Sequence, residues 1–223
     1  MLLLSCYMEA GNFKDALSLL EKSLKMNKQI LGDTHPSNGQ ILQVIGQVYL
    51  RQKDFEEALN VLGESWELFE LAFGTNSEQV GNCYIEIAGV HSRKKDLEEA
   101  IQFQKKALQT FSELEKYSNT EFLAHIAIAL SEMEEKAGKF EDALESLSQA
   151  KAILEENYGQ VDKRTARVKR NISLLRIKLG MIDEALQEMQ EVEVSSLKFQ
   201  AKSQWDVRVW PRSWRTRCTA TVR

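Results

Sequence analysis

The sequence predicts an all-α protein, a right-handed α-solenoid of about five helix-turn-helix repeats. Three observations predict it. A seven-residue pattern recurs five times, with its alanines Ala16, Ala58, Ala100, Ala143 and Ala185 spaced by 42, 42, 43 and 42 residues, and self-similarity at a fixed period of this size marks stacked supersecondary units. Only two prolines punctuate the 223 residues, too few for many short strands. Small residues, Gly46, Ala88, Ser131 and Ser173, stand twelve positions before the last four alanines, as close contact between two helices requires.

The five copies are Gly11 to Leu17, Lys53 to Leu59, Lys95 to Ile101, Gly138 to Leu144 and Gly180 to Leu186. Each reads as a turn residue, an apolar anchor, an acid where the helix macrodipole favours it and the alanine, which together start a second helix. Asn12, Asp54 and Asp96 are suitable N-caps, followed three residues later by Asp15, Glu57 and Glu99, whereas Lys139 and Met181 break that pattern. First helices are expected near 2–10, 38–52, 77–93, 119–137 and 163–179, and second helices near 14–30, 56–72, 98–114, 141–157 and 183–197. The repeats then lie near 2–31, 38–73, 77–115, 119–158 and 163–197, in one array over 2–198.

The junctions Leu31-Gly32, Phe73-Gly74 and Tyr158-Gly159 place an apolar residue before a glycine stop and polar capping residues. Thr75 with Glu78, and Ser118 with Glu121, read as capping boxes. The third junction, Glu115 to Ser118, has no glycine and carries the extra residue of the 43 spacing, so its turn is expected to differ. A single helix pair cannot bury its apolar face. Neighbours must stack, and the first helices then line a concave face that is the default binding surface.

Composition excludes several functions. The net charge of −4 leaves no basic excess of the kind nucleic-acid binding produces. Cys6, Cys83 and Cys218 have no paired spacing, which argues against a disulfide framework and zinc and fits a reducing, cytoplasmic setting or an organelle interior. The apolar start, Met1 to Cys6, is too short for a signal and reads as part of a helix. No stretch is apolar for the 18 or so residues of a membrane span. There is no phosphate-binding glycine loop, no metal-spaced cluster and no nucleophile motif, so no enzyme activity, cofactor, metal or small-molecule substrate is expected. His35 falls in a loop, His91 in the helix-packing register of Tyr7 and Tyr49, and His125 on the groove side. Glu98-Glu99 beside Lys105-Lys106 reads as solvated helix surface.

The repeat pattern resembles tetratricopeptide repeats, whose short form has a period of about 34 residues. The longer 42-residue spacing, with Leu31-Gly32-Asp33-Thr34-His35-Pro36, is similar to the kinesin-light-chain type, which includes plant kinesin-light-chain-related scaffolds. The resemblance covers residues 2–195 and implies a scaffold that binds a protein or peptide in its groove. The alternative it implies is a kinesin-light-chain-like cargo or cytoskeletal adaptor. Kinesin light chains carry groove asparagines fourteen and fifteen residues before the repeat alanine; this chain has Gln43-Val44, Ile85-Glu86, Ile128-Ala129 and Arg170-Asn171 there, so Asn171 alone matches. On the helical wheel of that repeat the groove residues are Gln40, Gln43, Gln47 and Arg51, then Asn82, Ile85 and Arg93, then His125, Ile128 and Glu132, then Arg167, Arg170 and Leu174. The polar and basic members suit the backbone or carboxylates of an extended peptide; an ordinary solvated face is the other reading.

Lys163 to Arg170 carries five positive charges in eight residues. Two readings stand: a patch for an acidic peptide at the repeat-five end, or a basic helix face that balances the acidic repeats. From Trp205 onward the composition changes, with three tryptophans and five arginines against one aspartate. A third function, nucleic-acid or membrane binding through this tail, is set against a disordered or altered end over 199–223, behind an uncapped fifth repeat. Both ends are expected to cut through a longer array.

Overall fold

A computed structural model describes residues 11–190. The helices, numbered from this point, are α1 (Phe13–Leu31), α2 (Pro36–Gln52), α3 (Phe55–Phe73), α4 (Glu78–Lys94), α5 (Leu97–Glu113), α6 (Glu121–Lys136), α7 (Phe140–Tyr158) and α8 (Lys163–Lys178), with helical residues 182–190 forming α9. The starts and ends of α1 to α8 fall within two residues of expectation. The expected helix at 2–10 and the tail at 199–223 lie outside the described residues.

The turn inside each repeat corrects the capping assignment. Asn12, Asp54, Asp96 and Lys139 do occupy the N-cap positions of α1, α3, α5 and α7, but none makes a side-chain cap hydrogen bond. The residue before each is left-handed: Gly11, Lys53, Lys95 and Gly138 have φ of 70°, 70°, 74° and 78°. That residue reverses the chain, and the N-cap side chain bonds none of the helix amides; Asn12 donates to the Asp15 carboxylate instead, at 2.6 Å. Lysine therefore serves at 139 as well as aspartate does at 54. True side-chain caps start the first helices instead. Ser77 accepts from the Val80 amide and Thr120 from the Leu123 amide, each at 3.4 Å, and His35 Nδ1 accepts from the Ser37 amide at 3.2 Å. Thr75 and Ser118 lie two residues too early to cap.

Helices α1, α3 and α7 end at Gly32, Gly74 and Gly159, with φ of 80–89° and ψ near 170°, a conformation essentially reserved for glycine. Polar side chains tie down these junctions. Asn38 donates to the Gly32 carbonyl at 2.8 Å, Ser77 to Gly74 at 3.0 Å and Thr165 to Gly159 at 3.0 Å. The third junction differs as expected: with no glycine after α5, the chain turns through 114–120 and places Asn119 left-handed at φ 59°.

Each of the helices α1 to α8 packs on its sequence neighbours in that series, and the five repeat alanines are fully buried. The close approach is steric fact. A Cβ on Gly46 would lie 2.7 Å from Leu62, and one on Gly81 2.6 Å from the Phe111 ring. Repeat four balances the same volume the other way, with Ala124 at the register of Gly81 and Leu154 at that of Phe111, both within one buried cluster. Ion pairs one repeat apart run along the surface, as in Lys94–Glu56 at 2.7 Å, Lys139–Glu98 at 2.6 Å and Lys178–Glu135. The result is an all-α repeat solenoid.

Candidate partner-binding site

Helices α2, α4, α6 and α8 present the same rows of side chains at intervals of one repeat. Counted back from the repeat alanine, the row at eighteen is Gln40, Asn82, His125 and Arg167; at fifteen Gln43, Ile85, Ile128 and Arg170; at fourteen Val44, Glu86, Ala129 and Asn171; at eleven Gln47, Gly89, Glu132 and Leu174. Steps of three and four keep these rows on one helical face. Every expected groove residue is exposed or half-buried there. A further row, seven before the alanine, is wholly basic: Arg51, Arg93, Lys136 and Lys178. Sequence reasoning named its first two members and missed the last two, although the same register contains them.

Two groups of these residues come together. Between α2 and α4, Gln47 Nε2 donates to Glu86 Oε1 at 2.7 Å, and Gln43 Nε2 lies 3.5 Å from Cys83 Sγ. The other Glu86 oxygen is buried without a hydrogen-bond partner. Burial raises the Glu86 carboxyl above the usual glutamate value, offset in part by the hydrogen bond from Gln47. Burial likewise pushes the Cys83 thiol up to about 12, so it stays protonated and unreactive at neutral pH.

Between α6 and α8 lies a cavity of about 250 Å³ lined by His125, Ile128, Glu132, Arg167 and Asn171, together with Ala129, Arg164, Val168 and Leu154 of α7. Five expected groove residues thus share one concavity. Gln40 and Arg51 on α2, Asn82, Ile85 and Arg93 on α4, and Arg170 and Leu174 on α8 lie outside it.

The basic run of α8 divides among three surroundings. Arg164 packs 3.4 Å above the Tyr158 ring and pairs with Asp162 at 2.9 Å and Glu121 at 3.0 Å. Lys169 is buried and pairs with Glu155 at 2.9 Å. Arg167 and Arg170 remain exposed, with no ion-pair partner among the described residues. A rotation of about 100° per residue spreads neighbouring charges around the helix. His125 is exposed on the groove side, whereas His91 stacks on Phe103 with ring centroids 5.7 Å apart and planes 8° apart, in its expected packing role. Among the described residues no group of three or more His, Cys, Asp and Glu side chains is placed to hold a metal ion, and no helix is long and apolar enough to cross a membrane.

Profiles described as tetratricopeptide repeat match residues 3–70 and 81–111. No curated protein matches the chain in sequence. Among solved structures, the nearly identical TPR-like repeats of a Podosopora anserina protein described as a kinesin light chain align with a TM-score of 0.73 at 18% identity, covering 91% of this chain and 93% of that one. BtubC (BKLC) from P. vanneervenii aligns with a TM-score of 0.73 at 18% identity, covering 89% and 78%. A Rap protein complexed with competence and sporulation factor aligns with a TM-score of 0.54 at 15% identity, covering 89% of this chain and 53% of that one. The fully buried alanines, the paired helices, the two profile matches and these shared folds lead to one conclusion: the chain carries tetratricopeptide repeats over the matched residues, in a solenoid that shares the fold of kinesin-light-chain-type repeats.

Proposed function

We propose that this protein-interaction scaffold holds an extended, acidic peptide segment of a partner across its first-helix face, in the cytoplasm and without catalysis. The carrying observation is the cavity between α6 and α8, where His125, Ile128, Glu132, Arg167 and Asn171 converge from two repeats. Arg167 and Arg170 lie at this end of the face with no ion-pair partner among the described residues, as do Arg51, Arg93 and Lys136 further along it, and arginine suits bidentate carboxylate contacts. Asn171 can serve the peptide backbone, and Ile128 an apolar side chain. Gln40, Gln43, Gln47, Arg51, Asn82, Ile85, Arg93 and Leu174 continue the path. The interaction unit is the array over 2–198, with 199–223 a separate tail. A structure with this fold that contains a Rap protein with its competence and sporulation factor supports a partner of protein or peptide kind.

The test is selection from a peptide library on the full chain, repeated with Arg167→Glu and Arg170→Glu. Acidic ligands that the double variant loses, and that weaken as salt rises, support the reading. Ligands retained by the variant, or a selection without acidic residues, overturn it.

A further inference from the structure

We propose that the cleft between the second helices α5 and α7, on the opposite side of the repeats from the groove residues, is a separate binding site for a partner's arginine side chain next to an apolar residue. Its floor is Glu134 of α6, whose side chain is only 1% exposed. Ser146 Oγ donates to Glu134 Oε2 at 2.7 Å, while Oε1 accepts no hydrogen bond. The Lys105 ammonium stands 3.2 Å from Oε1, but it is also 3.8 Å from Asp142 and its side chain is 52% exposed. A buried carboxylate oxygen therefore relies on a half-solvated cation that it shares. Burying a charge is costly unless it is both paired and hydrogen-bonded, so a better donor at Oε1 has something to gain.

The space for that donor exists. A cavity of about 210 Å³ opens over Glu134, and Asp142 and Glu145 on its wall bring three carboxylates against the one ammonium of Lys105. Lys105, Leu108 and Gln149 also border a second cavity of about 370 Å³, whose wall includes Leu123, Ala127 and Ile153. Acidic and apolar compartments thus adjoin, which matches a guanidinium on an aliphatic stem beside an apolar side chain.

The next repeat supplies internally what this cleft lacks. Arg176 stands in the register of Glu134, and Glu188 in that of Ser146. There Arg176 Nη1 donates to Glu188 Oε2 at 2.7 Å, and Lys151 reaches Oε1 at 3.1 Å. Between α5 and α7 no arginine side chain is present, and the partner's would take that place.

The experiment titrates the full 223-residue chain with acetyl-Leu-Ala-Ala-Arg-amide and with the same peptide carrying citrulline, read by NMR shifts of assigned methyl groups. The arginine peptide is expected to shift Leu108 and Ile153 and to bind about tenfold more tightly than the citrulline peptide, the scale of one hydrogen bond to a charged group. Lys105→Ala removes the competitor and is expected to tighten binding, and Asp142→Asn with Glu145→Gln to weaken it. Asp142 and Glu145 are exposed, and because Lys105 also serves Glu134 each variant is first shown by thermal melting to be folded; Arg167→Glu leaves binding unchanged whatever becomes of the first-helix groove. Equal binding of the two peptides, weaker binding by Lys105→Ala, or shifts centred on Ile128 would overturn the proposal.

Discussion

In repeats two and three, the side chains nine before and three after the repeat alanine are Tyr49 with Val61 and His91 with Phe103. In repeats four and five the same two places hold Glu134 with Ser146 and Arg176 with Glu188. The first pairs are apolar or aromatic: Tyr49 and Val61 pack on Leu20, Leu42, Ile45 and Val48, and Phe103 packs on a cluster that holds Phe69, Tyr84 and Phe111. The second pairs are polar and stand beside a cluster of small and aliphatic residues, Ala124, Ala127, Ala143 and Ala150 among them. The left-handed turn divides the same way, with Lys53 and Lys95 in the earlier repeats and Gly138 and Gly180 in the later ones. The fold requires a buried alanine and a matched volume, and leaves the chemistry of the crossing pair free. Where that pair carries a carboxylate, a lysine of the preceding second helix reaches it: Lys105 to Glu134 and Lys151 to Glu188. Stacking in the later repeats therefore depends on charge as well as on shape.

The sharpest way to break this contrast is Arg176→Ala, which leaves Glu188, 7% exposed, with its longer Lys151 contact. Urea denaturation should record a loss of about 3 kcal/mol, the low end of the cost of breaking a buried pair because Lys151 and Ser173 still reach Glu188, whereas Arg176→Met with Glu188→Leu should recover most of it.

Next in size is Gly81→Ala. The new Cβ would meet Phe111 at 2.6 Å, and overpacking of this kind costs about 2 kcal/mol. The double variant Gly81→Ala, Phe111→Leu copies Ala124 and Leu154 of repeat four and should be more stable than Gly81→Ala alone. A cycle with no such coupling would deny that the two halves solve the same volume problem.

Capping separates first from second helices. Ser77→Ala and Thr120→Ala should each lower stability by about 1 kcal/mol, while Asp54→Ala, which removes no cap hydrogen bond, should change it by less than about 0.5 kcal/mol. Lys53→Gly and Lys95→Gly should raise the melting temperature slightly, a gain of about 0.5 kcal/mol, because glycine relieves the left-handed backbone at some entropic cost.

The smallest effect is a pH dependence in the earlier half. A carboxyl whose folded pKa lies above its unfolded value is better held neutral, so the folded chain binds more protons between the two values and stability falls as pH rises through them. Glu86 is such a group. Glu86→Gln should flatten the thermal stability profile from the usual glutamate range upward, and an unchanged profile would remove Glu86 as its source.

Helix positions were legible because their signals are local. The alanine period, the small residues twelve before it and the glycine stops each act within a few residues, and the helix ends follow them closely. Part of the candidate site was legible for the same reason. His125, Ile128, Glu132, Arg167 and Asn171 share a helical face by spacing alone, and α6 and α8 then bring them around one cavity.

What the one-dimensional pattern could not carry was the identity of partners one repeat away. Asp54 reads as a cap, yet the left-handed Lys53 before it sets the turn and its side chain caps nothing. Lys163 to Arg170 reads as one basic run, yet Glu121 and Glu155 engage Arg164 and Lys169 and leave Lys163, Arg167 and Arg170. Lys105 reads as solvated surface and proves to be the counter-ion of a buried glutamate in the next repeat.

By itself, then, the sequence determined an all-α array of stacked helix pairs, the register of its repeats and the face its first helices share, because periodicity and turn chemistry are short-range. Only the tertiary structure decided which charges are already paired, which carboxylates are buried and where cavities open, because those depend on residues about 40 positions apart meeting across the stack.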